Sequence, residues 1–203
     1  MHHNVTQKEC KRCGKCCVKG GPALHTKDRD LVVSGSLMPV DLITIRRGEP
    51  VFDPLSNQVI MLEKELIKIR GKDKIGECKF FDSAVNSCLI YHKRPLECRL
   101  LKCWDTSDLE NVYMKDLLSR KDLIPEGTIL YKIVEKHSSI FDMCKITPFL
   151  LQQKKEAYGK TELEEIVQKE EQFRQSISQE LSLNRLEMDF FFGRPIKELK
   201  LLF

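Results

Sequence analysis

The chain has 203 residues, enough for one domain with a hydrophobic core or for such a domain with a helical extension. Hydrophobic residues make up 41% and charged residues 32%, with a net charge of +4, which excludes a disordered tail protein and predicts a well-solvated surface. No apolar run approaches the roughly 20 residues of a membrane-spanning helix, and residues 1–10 lack a signal-peptide core, so we predict a soluble, cytoplasmic protein without membrane contacts.

Short, irregular elements are predicted for the first 70 residues. The segment Cys10–Cys17, C-K-R-C-G-K-C-C, predicts a tight loop in which Gly14 is free to adopt an unusual backbone angle. Apolar residues at 31–33 and 40–45 predict two short helices. Branched apolar residues with partial alternation predict a strand over 57–70.

A β-hairpin is the next predicted element. Cys78 and Cys88 each open a short apolar stretch, and the polar residues between the two stretches predict the connecting loop. Pro95 then begins a short helical or turn segment that runs to Cys103.

The second half of the chain predicts helices. A capping-box pattern at Ser107–Glu110 begins the first, apolar spacing over 129–144 marks the second, and the third begins at Thr161 and runs to Leu181. Residues 188–203 are too apolar for a free tail, so we expect them to dock on the core or on a partner.

The distribution of cysteine is the most informative feature. Eight of the nine cysteines fall within residues 1–103, and only Cys144 follows. The cytosol keeps thiols reduced, so dense cysteines here indicate metal binding or redox chemistry rather than disulfides. We therefore predict an α+β protein: a small irregular, metal-bound cysteine module with a short antiparallel sheet over 1–105, and a mainly helical C-terminal region over 106–203 that packs on it.

Charge changes at the same place in the chain. Residues 1–103 carry 19 Lys and Arg against 12 Asp and Glu, whereas residues 104–203 carry 15 against 18. A basic half is compatible with nucleic-acid binding. The excess positive charge also compensates the negative charge of metal-bound thiolates, because a four-thiolate centre with zinc or an oxidised four-iron cluster has a net charge of about −2. We favour compensation and rank nucleic acid last among the partners.

The cysteine spacing suits metal ligation. A metal ion or cluster needs about four converging donors. The C-x-x-C-x-x-C run supplies three from one loop, and Cys17, which we expect to point away from its neighbour Cys16, needs partners of its own. The eight candidate ligands fit two four-thiolate centres, or one centre and a dithiol: Cys10, Cys13, Cys16, Cys17, Cys78, Cys88, Cys98 and Cys103.

The spacing leaves the metal open between an iron–sulfur cluster and zinc. C-x-x-C-x-x-C occurs in ferredoxin loops, but this chain lacks the Cys-Pro that accompanies it there. The pairs Cys10/Cys13 and Cys98/Cys103 satisfy the spacing of zinc sites. We favour iron–sulfur narrowly over zinc.

The combined motif resembles the YkgJ-type cysteine-cluster family. It consists of C-x-x-C-x-x-C-C at Cys10–Cys17, C-K-F-F at Cys78–Phe81, and C-L-I-Y-x-x-R-P-x-x-C-R at Cys88–Arg99. The resemblance covers about residues 8–105 and implies zinc or iron chelation by the seven cysteines within these segments; a similar module occurs in the flagellin lysine methylase. Many relatives continue with an aromatic residue and proline where this chain has Leu100-Leu101, so Cys103 is a ligand candidate from spacing alone.

Three residues among the distal cysteines are candidates for supporting roles around the ligands. Tyr91, Arg94 and Arg99 suit hydrogen bonding to sulfur, gripping of an anionic substrate, or structural packing, and we favour the structural role. His25 and His92 are treated as ordinary histidines rather than ligands, and Cys144, on an apolar helical stripe, is expected to be buried and inert.

Three functions remain open. The first is a metal-binding protein without assigned downstream role, such as a metal carrier or structural adaptor. The second is a cluster-dependent enzyme that modifies another protein, as the methylase relative suggests. The third is a zinc-type nucleic-acid-binding module, which would show steep salt-dependent binding. The sequence assigns no catalytic residue, and a protein partner or substrate is compatible with the first two.

Overall fold

A computed structural model describes residues 7, 10–72, 76–152 and 160–201. The chain forms two compact units, and each is built from two chain segments. Unit 1 comprises Met1–Leu37 and Lys68–Leu118, and unit 2 comprises Met38–Ile67 and Ser119–Phe203. The fold is α+β with short antiparallel two-stranded sheets, as predicted.

Unit 1 consists of short helices, 3-10 turns and one small hairpin. Its α-helices and strands are α1 (Arg29–Val33), β5 (Phe81–Asp82), β6 (Ser87–Cys88), α2 (Leu96–Leu100) and α3 (Ser107–Glu110). Its 3-10 turns are Cys17–Lys19, Thr26–Asp28 and Tyr91–Lys93.

The predicted hairpin is confirmed, with a different position for its cysteines. β5 and β6 pair antiparallel, and Phe81 lies opposite Cys88, which ends its strand instead of opening it. Cys78 lies before β5 and forms an isolated bridge with Gly71. The helix expected after Pro95 is present as α2.

The first helix predicted in the second half is much shorter than its apolar spacing indicates. α3 ends at Glu110, and Met114 and Asp116 then adopt positive φ angles of 57° and 48°, which a helix does not allow. The chain instead turns within unit 1, where the Leu118 amide donates to the Leu24 carbonyl at 2.9 Å. Both of these leucines are fully buried.

Unit 2 contains strands from the first half of the chain and helices from the second. Its elements are β1 (Leu42–Ile45), β2 (Pro50–Asp53), β3 (Gln58–Met61), α4 (Ile129–Ile140), α5 (Met143–Gln152), α6 (Lys160–Leu181), α7 (Arg185–Phe192) and α8 (Ile196–Lys200), with a 3-10 turn at Arg120–Asp122; β4 (Leu66–Ile69) pairs with β1 and begins in this unit. β2 and β3 are antiparallel, with Val51 opposite Ile60.

One helix prediction and one strand prediction were wrong. Residues 40–45 form a 3-10 turn and strand β1 rather than a helix, because the β-branched residues Ile43, Thr44 and Ile45 favour extended backbone. The single strand predicted over 57–70 is two strands, interrupted where the Leu62 amide donates to the Glu49 carbonyl at 3.1 Å.

The helix predicted over 129–144 is also divided. α4 ends at Ile140, and the Asp142 carboxylate accepts a hydrogen bond from the Cys144 amide at 3.0 Å at the start of α5. Cys144 therefore lies in the first turn of a separate helix and is exposed rather than buried, which corrects the expectation from its apolar stripe. The third helix is confirmed as α6.

The apolar C-terminal residues dock within unit 2, as expected. Phe190–Phe192 and Leu199 are buried, whereas Leu202 and Phe203 lie outside the described residues. The main cluster of apolar side chains draws on three helices and on the turn between α4 and α5: Phe141, Met143, Ile146, Leu150, Leu163, Val167, Ile196 and Leu199.

A buried polar network accompanies this core. Glu170 is fully buried and accepts hydrogen bonds from Arg174 Nε, from the Ile196 amide at 3.2 Å, and from His137 Nε2 at 3.3 Å. Burial lowers the pKa of His137 to about 4, so its ring is neutral at pH 7.

None of the described helices is both long and apolar enough to cross a membrane.

Candidate metal centre

All eight cysteines of the N-terminal half line one cavity of about 250 Å³ within unit 1. The loop 10–22, the β5–β6 hairpin and the segment from Tyr91 to Leu109 form its wall. The ninth cysteine, Cys144, belongs to unit 2. The fold of unit 1 therefore brings together cysteines that lie up to 93 positions apart in the sequence.

Gly14 shapes the loop that carries the first four cysteines. Its φ is +73°, as the sequence led us to expect, and the Val18 amide donates to its carbonyl at 3.0 Å. A Cβ atom at this position would lie 2.3 Å from Cζ of Phe81. The loop thus approaches the hairpin more closely than any residue with a side chain allows.

Two of the thiols accept hydrogen bonds from backbone amides two residues further along the chain. The Arg12 amide donates to Cys10 Sγ at 3.4 Å, and the Phe80 amide donates to Cys78 Sγ. Such bonds favour the thiolate, which is the form that binds metal.

Cys16 and Cys17 do not diverge as we expected of neighbouring residues. Cys17 begins a 3-10 turn, and the two Sγ atoms lie 3.9 Å apart. Two thiolates on one tetrahedral zinc ion, at Zn–S of about 2.3 Å, are separated by about 3.8 Å. The distance therefore allows both side chains to approach one ion or two adjacent ions.

The thiols deeper in the cavity resist ionisation because they are desolvated. Burial raises the pKa of Cys17 to about 12, and the neighbouring Cys16, Cys78 and Cys88 add to this effect. Burial likewise raises the pKa of Cys78 and Cys98. Within the described part of the chain, no three His, Cys, Asp or Glu side chains converge closely enough to hold a metal ion as they stand.

A tyrosine between two arginines forms one side of the cavity. The Arg94 and Arg12 guanidinium groups lie 3.7 and 4.1 Å from the centre of the Tyr91 ring. Arg94 Nε also donates to the Tyr91 carbonyl at 2.8 Å. Lys11 and Lys15 line the same cavity, so its wall carries positive charge close to the thiols.

Arg99 contacts the framework of unit 1 rather than a sulfur atom. Its Nη1 donates to the Arg94 carbonyl at 2.9 Å, and its Nη2 lies 3.7 Å from the buried Asp28 carboxylate. Asp28 also accepts from the Leu96 amide at 2.8 Å and thereby fixes the start of α2. These contacts hold the helix that carries Cys98.

His25 is a structural residue of unit 1. Its Nδ1 is 2.8 Å from the Lys115 carbonyl and its Nε2 is 3.3 Å from Glu97 Oε1, so protein groups engage both ring nitrogens. Glu97 in turn accepts from the Ala23 amide at 2.9 Å. Hydrogen bonding to Glu97 raises the pKa of His25. His92 packs edge-on against the Tyr91 ring, at 5.6 Å between centroids.

Sequence reasoning missed three residues that shape this site. Arg12, Asp28 and Glu97 carry the contacts described above, but each is a single charged residue in a charged chain. No spacing or periodicity distinguishes them from solvent-exposed neighbours. The position of Arg12 between two cysteines was the one available signal.

Comparison with known families now identifies the class of protein. Residues 9–117 match the CxxCxxCC family, described as a "putative zinc- or iron-chelating domain". The match covers more than half of the chain, so the chain belongs to this family. No significant match was found among the curated proteins or among the solved structures.

Proposed function

We propose that the protein binds metal through the eight cysteines that line the cavity of unit 1. The carrying observation is that one cavity collects all eight thiols from segments far apart in the sequence. Membership of a family described as zinc- or iron-chelating supports the same function. The cytoplasm suits this function as a compartment, because its reducing environment keeps clustered thiols available to metal.

The donor set suits a thiolate-bound metal in chemistry and in charge. Metal binding replaces the protons of the cysteines, which overcomes the unfavourable ionisation of the buried thiols. The negative charge that results faces Lys11, Arg12, Lys15 and Arg94 in the cavity wall. A bound metal would cross-link the loop, the hairpin and α2.

The roles of the residues around the thiols follow from their contacts. Tyr91 holds Arg12 and Arg94 at the cavity wall, and Arg99 fixes α2 through Asp28. These contacts support a structural role for Tyr91, Arg94 and Arg99. The metal module in this proposal is unit 1, because every residue that lines the cavity belongs to it.

For the metal, we retain the iron–sulfur cluster ahead of zinc, on the basis of the C-x-x-C-x-x-C spacing. The two kinds of centre differ in composition and in colour, since an iron–sulfur protein is brown and contains acid-labile sulfide. Zinc proteins are colourless.

Metal and sulfide analysis of protein purified without oxygen tests the proposal. We expect either iron with labile sulfide or about two zinc ions per chain, as eight thiolates allow. Cys13→Ser should lower the metal content and the thermal stability, whereas the exposed Cys144→Ser should change neither. A wild-type protein without bound metal, or an unchanged metal content in Cys13→Ser, would contradict the proposal.

A further inference from the structure

Exposure to solvent divides the eight cavity cysteines into two sets of four. Cys17, Cys78, Cys88 and Cys98 are buried or half-buried; we call them the inner set. The outer set, exposed in the same structure, consists of Cys10, Cys13, Cys16 and Cys103. Four is the number of thiolates that one metal centre requires.

The inner set joins three separate segments of unit 1. The Cys78 amide donates to the Cys17 carbonyl at 2.8 Å, which ties the loop to the hairpin. Cys88 is drawn in by its pairing with Phe81. Cys98, on α2, has Cys78, Cys16, Cys17 and Cys88 as its electrostatic neighbours, so Cys16 lies at the boundary between the two sets. The inner cysteines therefore come from three segments that line one cavity.

The outer set depends on one loop and one distant residue. Cys10, Cys13 and Cys16 recur at every third position, and their loop turns at Gly14. The Gln7 side chain donates to Cys103 Sγ at 3.8 Å, and Cys103 lines the same cavity as the three cysteines of the loop. Cys103 is thus in position to act as the fourth donor for this loop.

We propose that the inner and outer sets form two separate four-thiolate centres, and that the outer centre exchanges its metal with solution much faster than the inner one. This inference rests on the proposed function. A competing chelator must reach the metal or its ligands, and the outer cysteines are more exposed to it than the inner ones. The 3.9 Å contact between Cys16 and Cys17 places the two centres side by side.

Release of metal to EDTA measures this difference directly. The full-length, metal-loaded protein is mixed anaerobically with EDTA, and metal retained by the protein is measured after rapid desalting. We expect two phases of equal amplitude, whose rates differ by at least about tenfold, as a modest difference in barrier gives.

Variants assign the phases to the two sets. Cys103→Ser should remove the fast phase and leave the slow phase and the far-ultraviolet circular dichroism unchanged. Cys88→Ser should remove the slow phase; because this variant can also unfold, Cys103→Ser carries the test. Cys144→Ser, an exposed cysteine outside the cavity, is the matched control and should retain both phases.

The results also separate this inference from the proposed function. A wild-type protein that holds no metal contradicts both. A metal-loaded protein with a single release phase contradicts the two-centre arrangement alone. Loss of both phases in Cys103→Ser, or in Cys16→Ser, shows one joint centre instead of two and likewise overturns it.

Discussion

Gly14→Ala tests whether close approach of the cysteine loop to the hairpin holds the site together. Gly14 combines a positive φ with a position directly against the Phe81 ring, which is 2% exposed. An added methyl group would lie 2.3 Å from Cζ and 2.6 Å from Cε2 of that ring. Ordinary contact between carbon atoms is about 3.5–4.0 Å, so the loop or the buried ring has to move by more than about 1 Å.

Two physical effects contribute to the expected destabilisation. The left-handed backbone conformation costs an L-residue about 1–2 kcal/mol, partly offset by the lower chain entropy of alanine in the unfolded state. Overpacking against a buried aromatic ring adds about 1–3 kcal/mol. We therefore expect Gly14→Ala to lower the free energy of unfolding by about 2–4 kcal/mol and to reduce the metal content, because the displaced loop carries Cys10–Cys17.

Gly35→Ala is the matched control. Gly35 has the same φ of +73°, lies in the same unit, and has no atom within 4 Å of an added Cβ among the described residues. It should lose only the conformational part, about 1 kcal/mol, and bind metal normally. Urea denaturation of the metal-loaded proteins and metal analysis measure both effects. Equal losses of stability in the two variants would refute the argument from loop packing.

Three further predictions concern individual side chains. Burial of neutral His137 contributes stability that is fully present above pH 6.5 and is lost as the pH falls towards about 4, because this histidine takes up a proton more readily in the unfolded chain. His137→Gln should therefore flatten the decline of the free energy of unfolding over this pH range, as measured by urea denaturation. An unchanged pH profile would contradict this prediction. Tyr91→Leu should cost about 1 kcal/mol of stability through its two cation–π contacts, whereas Tyr91→Phe should cost almost nothing; similar losses would exclude this contribution. Glu97→Gln should lower the pKa of His25 in an NMR titration, and a constant pKa would disprove their coupling.

Local sequence signals predicted those parts of the fold whose cause is local. Gly14 between clustered cysteines predicted the tight loop, Pro95 predicted the start of α2, and the regular apolar spacing after Thr161 predicted α6. In each case the residues that favour the conformation lie within the element itself. The family motif likewise located the cysteines that share a cavity.

The remaining structure depends on contacts between distant segments. The tight turn at Met114 and Asp116 ends a predicted helix so that Leu118 reaches Leu24. The break before Cys144 is set by Asp142. The division of the cysteines into exposed and buried sets arises from packing that spacing does not encode.

The discontinuous make-up of the two units has a consequence for protein synthesis. Every residue that lines the cysteine cavity precedes residue 110, whereas the helices that complete unit 2 follow residue 128. At 5–20 residues per second, the ribosome needs about 4–17 s to produce residues 119–203 after unit 1 is complete. During this interval Leu42 and Leu62, which are buried in unit 2, have none of their later helices to pack against. A fragment that ends near residue 118 would keep every cysteine of the cavity and still expose this apolar segment permanently. Metal binding is therefore better studied in the full-length chain, and the nascent chain is most vulnerable to aggregation just when its metal site is first complete.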